Sequence, residues 1–219
     1  MPSFGIEREL FEQGYRRIAG VDEVGRGALA GPLCVGLVVY PPEILIGPPA
    51  ALLLSVDDSK KLTHAARLRA SEHIHRSAVC VHTAMASHRT VDRLNVNGAT
   101  EYLLSKIITE LPEPPDVVIM DGRFAFSPGV RFIAVKGGDS RSTSIASASI
   151  AAKIHRDAIL DKFDLLYPGY GFNRNKGYGT LEHRESIGRI GPSPVHRRSF
   201  APLRDQTFPG DLFAGHEDR

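Results

Sequence analysis

The sequence predicts an α/β fold: a central mixed β-sheet flanked by helices, followed by a helical C-terminal extension. Two apolar runs stand close together near the start, strand and helix patterns alternate through the middle, and the last third turns glycine-rich and basic. Ile18–Val24 and residues 33–40 are separated by Gly25, Arg26, Gly27, Gly31 and Pro32, which reads as two strands joined tightly into an antiparallel hairpin. Pro41, Pro42, Gly47, Pro48 and Pro49 interrupt regular structure, so residues 41–49 are expected as a surface excursion. Thr63 is placed to cap a helix running to about Ser77, and residues 79–86 read as a third strand. Thr90 opens a longer helix in which Val91, Leu94, Tyr102, Leu103, Ile107 and Leu111 recur at near-helical spacing; Gly98 weakens its middle and Pro112 ends it. Residues 117–120 form a short strand delivering Asp121, and Arg131–Val135 another delivering Lys136 and a glycine pair. A proline-free helix rich in Ala and Ile is expected over 140–166, and a short one over 180–190.

With 42% apolar residues in 219, the chain has enough to bury a sizeable core, which excludes a disordered or fibrous protein. Glu7, Arg8 and Glu9 stand where a secretory signal would be apolar, and the apolar runs fall short of a membrane span; a soluble cytoplasmic protein is expected. Cys34 and Cys80 lack metal-ligand spacing and read as reduced core residues. The net charge of +2 announces no partner by itself, but residues 174–204 hold seven Lys/Arg against two Asp/Glu. Such a segment either neutralises phosphates or forms an ordinary solvated surface.

The acids at strand ends carry the chemistry. Asp22 and Glu23 are adjacent within an apolar strand, so they point to opposite faces, and neither is expected to be buried unpaired. Asp121 ends one later strand, and Asp139 follows another just ahead of a long helix. Three apolar strands ending in carboxylates can converge on a pair of hard cations, as two-metal phosphoryl-transfer sites require. Taken singly, each acid has a plainer reading: a loop cap or solvated side chain for Asp22 and Glu23, a helix N-cap for Asp139.

The run Ala19-Gly20-Val21-Asp22-Glu23-Val24-Gly25-Arg26-Gly27-Ala28-Leu29-Ala30-Gly31-Pro32 closely resembles the signature of the ribonuclease HII family of type 2 ribonucleases H. The resemblance continues through Asp57-Asp58-Ser59-Lys60-Lys61-Leu62, Met120-Asp121-Gly122, Lys136-Gly137-Gly138-Asp139-Ser140, the stretch from Ser144 to Lys153, and Gly177-Tyr178-Gly179-Thr180. It implies a ribonuclease H-like catalytic domain over 1–168, with 169–219 a helical extension packed on it. Asp22, Glu23, Asp121 and Asp139 resemble the family's catalytic acids, binding two Mg²⁺ or Mn²⁺ ions. Gly25, Arg26 and Gly27 resemble its ribonucleotide-recognition loop, and Tyr178 its tyrosine packed on the adjoining deoxyribose. Glycines there let backbone amides approach a 2′-hydroxyl. Lys60, Lys61, Lys153, Arg197 and Arg198 are candidate phosphate contacts; Lys153 reads equally as a snorkelling surface residue. His183 and His196 are candidates for proton transfer.

The activity implied is endonucleolytic hydrolysis of the RNA strand of RNA–DNA hybrids, and 5′ of single ribonucleotides embedded in duplex DNA, leaving 3′-hydroxyl and 5′-phosphate ends. The implied setting is ribonucleotide excision and primer removal by a monomer. Lys136 is followed by two glycines where many relatives have one, and Arg174-Asn175-Lys176 aligns to no role.

Overall fold

The computed structural model describes residues 1–47, 56–57 and 59–205. Pro48, Pro49, Asp58 and the C-terminal stretch with Phe208 and Phe213 lie outside the described residues. The sheet has five strands in the order β3-β2-β1-β4-β5: β1 (Ile18–Val24), β2 (Leu33–Val39), β3 (Cys80–Ala86), β4 (Val117–Asp121) and β5 (Arg131–Val135). β1 pairs antiparallel with β2, and β2 with β3, whereas β1, β4 and β5 run parallel. The mixed sheet and the N-terminal hairpin are thus as the sequence predicts. Parallel pairing has a chemical consequence: the C-terminal ends of β1, β4 and β5 all open at one edge of the sheet.

Helices cover both faces. One face packs Ile18, Val38, Val117 and Ile119 against Ile145, Ala148 and Ile150 of α5 (Thr143–Leu166), with Ala70 and Ile74 of α3 (His64–Ser77) and Leu10 of α1 (Gly5–Glu12). The other packs Val21, Leu37, Val118 and Met120 against Val91, Leu103, Leu104 and Ile107 of α4 (His88–Glu110). α5 comes unusually close to the sheet because Gly20 and Gly36 face it; an added Cβ would lie 2.3 Å from the Ser144 carbonyl carbon and 2.3 Å from the Ala148 oxygen, respectively. Cys34 is buried in β2 and Cys80 half-buried at the start of β3, both free thiols.

Several local expectations change. The 41–49 excursion contains a short helix, α2 (Pro42–Ile46), begun by a proline whose fixed φ and missing N–H suit a first turn. α1 was not predicted: its N-cap Phe4 offers no side-chain acceptor, and its anchor is Glu7, fully buried beneath the start of α5, where the hydroxyls of Ser142 and Ser144 donate to it. α4, expected as one helix weakened at Gly98, breaks at Asn95 (φ 57°, ψ 174°). The Asn95 carboxamide oxygen accepts from the Asn97 and Gly98 amides at 2.9 and 3.2 Å, capping the second segment. α5 begins at Thr143, capped by Ser142, so Asp139 is not its N-cap and sits instead in a 3-10 turn, Gly138–Ser140.

Beyond Pro168, α6 (Phe172–Asn175) and α7 (Leu181–Ile190) pack Tyr170, Phe172, Ile187, Val195 and Leu203 against Leu29, Ala30 and Leu160. Among the described residues no helix is long and apolar enough to cross a membrane.

Candidate active site

At the C-terminal edge of β1 and β4 a cleft of about 470 Å³ is lined by Asp22, Glu23, Gly25, Arg26, Gly27, Lys60, Asp121, Lys153 and Tyr178, with Ser59 and Ser149 at its base. A larger cleft, about 650 Å³, lies between the end of α5 and α7, lined by Asp164, Arg174, Glu182, Glu185 and Arg189. It holds none of the four candidate acids, and its Arg174–Glu182 ion pair already satisfies part of its charge. The smaller cleft is the candidate site.

Strand alternation aims Asp22 at the α5 face and Glu23 at the α4 face. Asp22, 6% exposed, accepts from the Glu23 amide at 2.9 Å and is hydrogen-bonded by Ser149 of α5. Burial, reinforced by the fields of Asp121 and Asp139, raises its pKa to about 7. Burial, with Asp22 and Asp121 nearby, raises Glu23 to about 8 against the opposing pull of Arg26. The Glu23 Oε2 atom is buried without a hydrogen-bond partner. Asp121 accepts from the Gly138 amide at 2.7 Å, and Asp139 lies 3.6 Å from the Lys60 ammonium.

Among the described residues no three of these acids close into a ready-made metal cage. Each carboxylate has instead turned to a backbone amide, a hydroxyl or a cation. The donor set nevertheless suits a divalent cation: hard oxygens only, mutually repelling, two carboxyls raised in pKa chiefly by burial, and one oxygen unpartnered.

The glycine pair after Lys136 divides two tasks. Gly137 adopts a left-handed turn (φ 66°), while at Gly138 a Cβ would lie 2.7 Å from Ile145 and 3.3 Å from the Asp121 Cα. Lys136 itself is exposed.

Gly25, Arg26 and Gly27 border the cleft. Gly25 has φ 93°, and a Cβ there would collide with Arg156 Nε at 2.2 Å, whereas Gly27 meets only open space. The Arg26 guanidinium donates to Asn97 at 2.5 Å, lies over Phe124 at 5.0 Å, and approaches Glu23 at 3.9 Å. Tyr178 is 37% exposed at the cleft wall, its ring 5.4 Å from Arg156. Lys61 is exposed but does not line the cleft. Lys153 does line it, held at 2.6 Å by Asp157.

Of the two arginine candidates near the C-terminal end, one is overturned. Arg197 is fully buried and cannot touch a phosphate: its guanidinium donates to the carbonyls of Gly31 and Arg26. Arg198 is exposed, with its amide bonded to Asp92. His183 and His196 are buried together, away from the acids.

Some residues escaped the sequence reading. Arg156, fully buried, donates to the carbonyls of Pro32, Ala30 and Lys176 and so fixes the chain on both sides of the cleft wall. Asn97 and Ser149 also touch candidate site residues. A serine or arginine inside a helix carries no local mark of such a role. The uninterpreted 174–176 stretch shapes the Tyr178 turn: Asn175 bridges the Tyr170 carbonyl and the Gly177 amide, and Lys176, at φ 49°, pairs with Asp161.

Comparison with known proteins agrees with this arrangement. The family model described as ribonuclease HII matches residues 19–203. Ribonuclease HII of Synechococcus sp. (strain JA-3-3Ab) is 45% identical over 208 residues, covering 93% of this chain and 90% of that protein. Among solved structures, ribonuclease H2 from Pyrococcus horikoshii OT3 superposes with a TM-score of 0.72 at 22% identity, covering 86% of this chain and 96% of that one. Bst-RNase HIII in complex with Mn²⁺ gives a TM-score of 0.60 at 20% identity, covering 89% and 70%. The two structural matches speak for the ribonuclease H-like fold, and the sequence matches decide the family: the chain belongs to the ribonuclease HII family.

Proposed function

We propose that this chain is a divalent-metal endonuclease that hydrolyses the RNA strand of RNA–DNA hybrids and cuts 5′ of single ribonucleotides embedded in duplex DNA, leaving 3′-hydroxyl and 5′-phosphate ends. The observation that carries it is the meeting, in one cleft, of strand-end acids with a glycine loop and an exposed tyrosine. Asp22, Glu23, Asp121 and Asp139 would hold the cations, Mg²⁺ or Mn²⁺. When bound, two such ions supply activation of a water molecule and charge stabilisation at the leaving oxygen.

The chain's own residues supply recognition and placement. At Gly25 and Gly27 no side chain stands between the backbone and the cleft, so main-chain groups can read a 2′-hydroxyl, the group that separates RNA from DNA. Tyr178 offers an aromatic face to a sugar lacking that oxygen. Lys60 and Lys61 act on the phosphate backbone, and the extension beyond Gly169 closes over the duplex. The same reading carries a cytoplasmic monomer acting in ribonucleotide excision and primer removal. Support for a divalent cation comes from the all-oxygen donor set; the structurally similar Bst-RNase HIII was solved in complex with Mn²⁺.

The test uses two duplexes of matched sequence, one all DNA and one with a single ribonucleotide. Cutting is expected only beside the ribonucleotide, on its 5′ side, and only with Mg²⁺ or Mn²⁺ present. Equal cutting of both duplexes would overturn the proposal in favour of a DNA-reading nuclease on the same sheet.

A further inference from the structure

The buried histidines stand outside the acid cleft but are wired to one of its walls. His183, on α7, and His196, on the segment after it, are 0% and 1% exposed, with their Nε2 atoms 3.1 Å apart. At one end, His183 Nδ1 lies 2.9 Å from the Tyr178 carbonyl oxygen. At the other, the Ser193 amide is 2.9 Å from His196 Nδ1. The rings of Tyr170 and Phe172 pack against both histidines.

Proton positions follow from groups that have no choice. Three Ser193 atoms surround His196 Nδ1: the amide at 2.9 Å only donates, the hydroxyl at 2.8 Å can donate, and the carbonyl oxygen is farther at 3.3 Å, so Nδ1 carries the lone pair and the proton resides on Nε2. That proton points to His183 Nε2, which must therefore accept. The remaining proton of His183 resides on Nδ1 and is donated to the Tyr178 carbonyl, which only accepts. Both rings are neutral, and one tautomer of each satisfies the whole chain from Ser193 to Tyr178. An additional proton would set two N–H groups against each other at the contact between the rings.

The surroundings agree with neutrality. Burial, the neighbouring His183, Arg198 and His88 lower the pKa of His196 to about 3, against the Ser193 carbonyl oxygen 3.3 Å from Nδ1. Burial also lowers His183, opposed by the Tyr178 carbonyl and Glu182. The nearby Tyr170 hydroxyl is engaged with the Gly191 carbonyl at 2.7 Å.

The backbone gives the pair its leverage. Gly177 accepts from the Leu29 amide at 2.8 Å, Arg197 donates to the Leu29 carbonyl at 2.8 Å, and Val195 accepts from Gly31 at 2.9 Å. The stretch following the glycine loop thus lies between the Tyr178 turn and the His196 segment. The histidine pair joins those two segments directly.

We propose that His183 and His196 are positioning residues: a tautomer-locked neutral relay that fixes the Tyr178 carbonyl and thereby aims the Tyr178 ring into the cleft. This rests on the reading of Tyr178 as the sugar-packing residue. Neither histidine lines the acid cleft, so the relay assigns neither as the general acid or base.

Two isosteric changes separate the links. In His183→Asn the amide nitrogen replaces Nδ1 and keeps the Tyr178 bond; in His183→Gln the amide oxygen replaces Nε2 and keeps only the contact with His196. Cleavage of a duplex with one ribonucleotide is expected to fall about tenfold in kcat/KM for His183→Gln and about threefold or less for His183→Asn. Combined with Tyr178→Ala, His183→Gln is expected to add no more than about threefold, because both changes remove the same placement. A merely structural role would add its full loss in both backgrounds, and that result overturns the relay. If Tyr178→Ala alone cuts like the native protein, the sugar-packing reading fails and takes the relay's purpose with it. The Mn²⁺-induced thermal shift reports whether each variant is folded at the acids. Long-range ¹H–¹⁵N correlation on the unmodified protein tests the relay independently of any variant: His183 is expected protonated on Nδ1 and His196 on Nε2, unchanged down to about pH 5. A proton on His183 Nε2 would refute the relay.

Discussion

Asp22→Asn is expected to lose cleavage by about a thousandfold or more while making the metal-free protein more stable at pH 8. The two effects have one cause. Asp22 and Glu23 are raised from 3.8 to about 7 and from 4.5 to about 8, chiefly by burial. The folded chain therefore retains protons that the unfolded chain has already released, and stability falls as pH rises from the ordinary carboxylate range to about 8. Below that range both states are protonated and the penalty vanishes. Above it, ionising either carboxylate costs on the order of 4 kcal/mol. Asparagine keeps the shape and the acceptor for the Glu23 amide, but removes one buried charge and one hard oxygen donor.

Thermal melts of metal-free protein should accordingly rise from pH 8 to pH 5, with a shallower slope for Asp22→Asn. Saturating Mg²⁺ or Mn²⁺ should raise the native melting temperature most at high pH, where protons no longer compete for the carboxylates, and raise the variant much less. Retained cleavage within tenfold, or a metal-free variant less stable than the native chain at pH 8, would contradict this account of the acids.

Gly20→Ala is expected to destabilise by roughly 3 kcal/mol or more, lowering the melting temperature by about 10 °C. Its new methyl would lie 2.3 Å from the Ser144 carbonyl carbon and 2.5 Å from the Ile145 amide nitrogen. These are backbone atoms of α5 that no rotamer change can clear, so β1 and α5 must separate. Ser149 reaches Asp22 from that helix, and Asp139 lies in the turn just before it, so cleavage should fall even in whatever fraction remains folded. Gly188 gives the contrast: it lies in α7 with nothing near its missing Cβ, so Gly188→Ala should stabilise by about 0.5–1 kcal/mol through lost unfolded-state freedom. Equal melting temperatures for the two variants would show that the close approach of β1 and α5 is not a packing constraint.

Much of the fold was legible because its signals are local. The apolar runs of β1, β2, β4 and β5, the caps Thr63 and Thr180, and the proline-free span of α5 each sit within a few residues of what they specify. α1 was not legible: its anchor joins Glu7 to serines 135 and 137 positions away. The sequence marks Gly98 as the weak point of one continuous α4, whereas the helix breaks at Asn95, whose side chain caps the segment that follows.

For the candidate site, the sequence alone determined which acids end strands and that glycines flank Arg26, since chain order and strand termini fix both. Only the tertiary structure decided what lies under the loop. Arg156 and Arg197 look like surface cations in sequence, yet both are fully buried and bound to carbonyls, and the histidine pair is sealed between aromatic rings. Burial is set by which distant segments meet, and a side chain's charge, hydrogen bonds and reach all follow from burial; no local pattern encodes it.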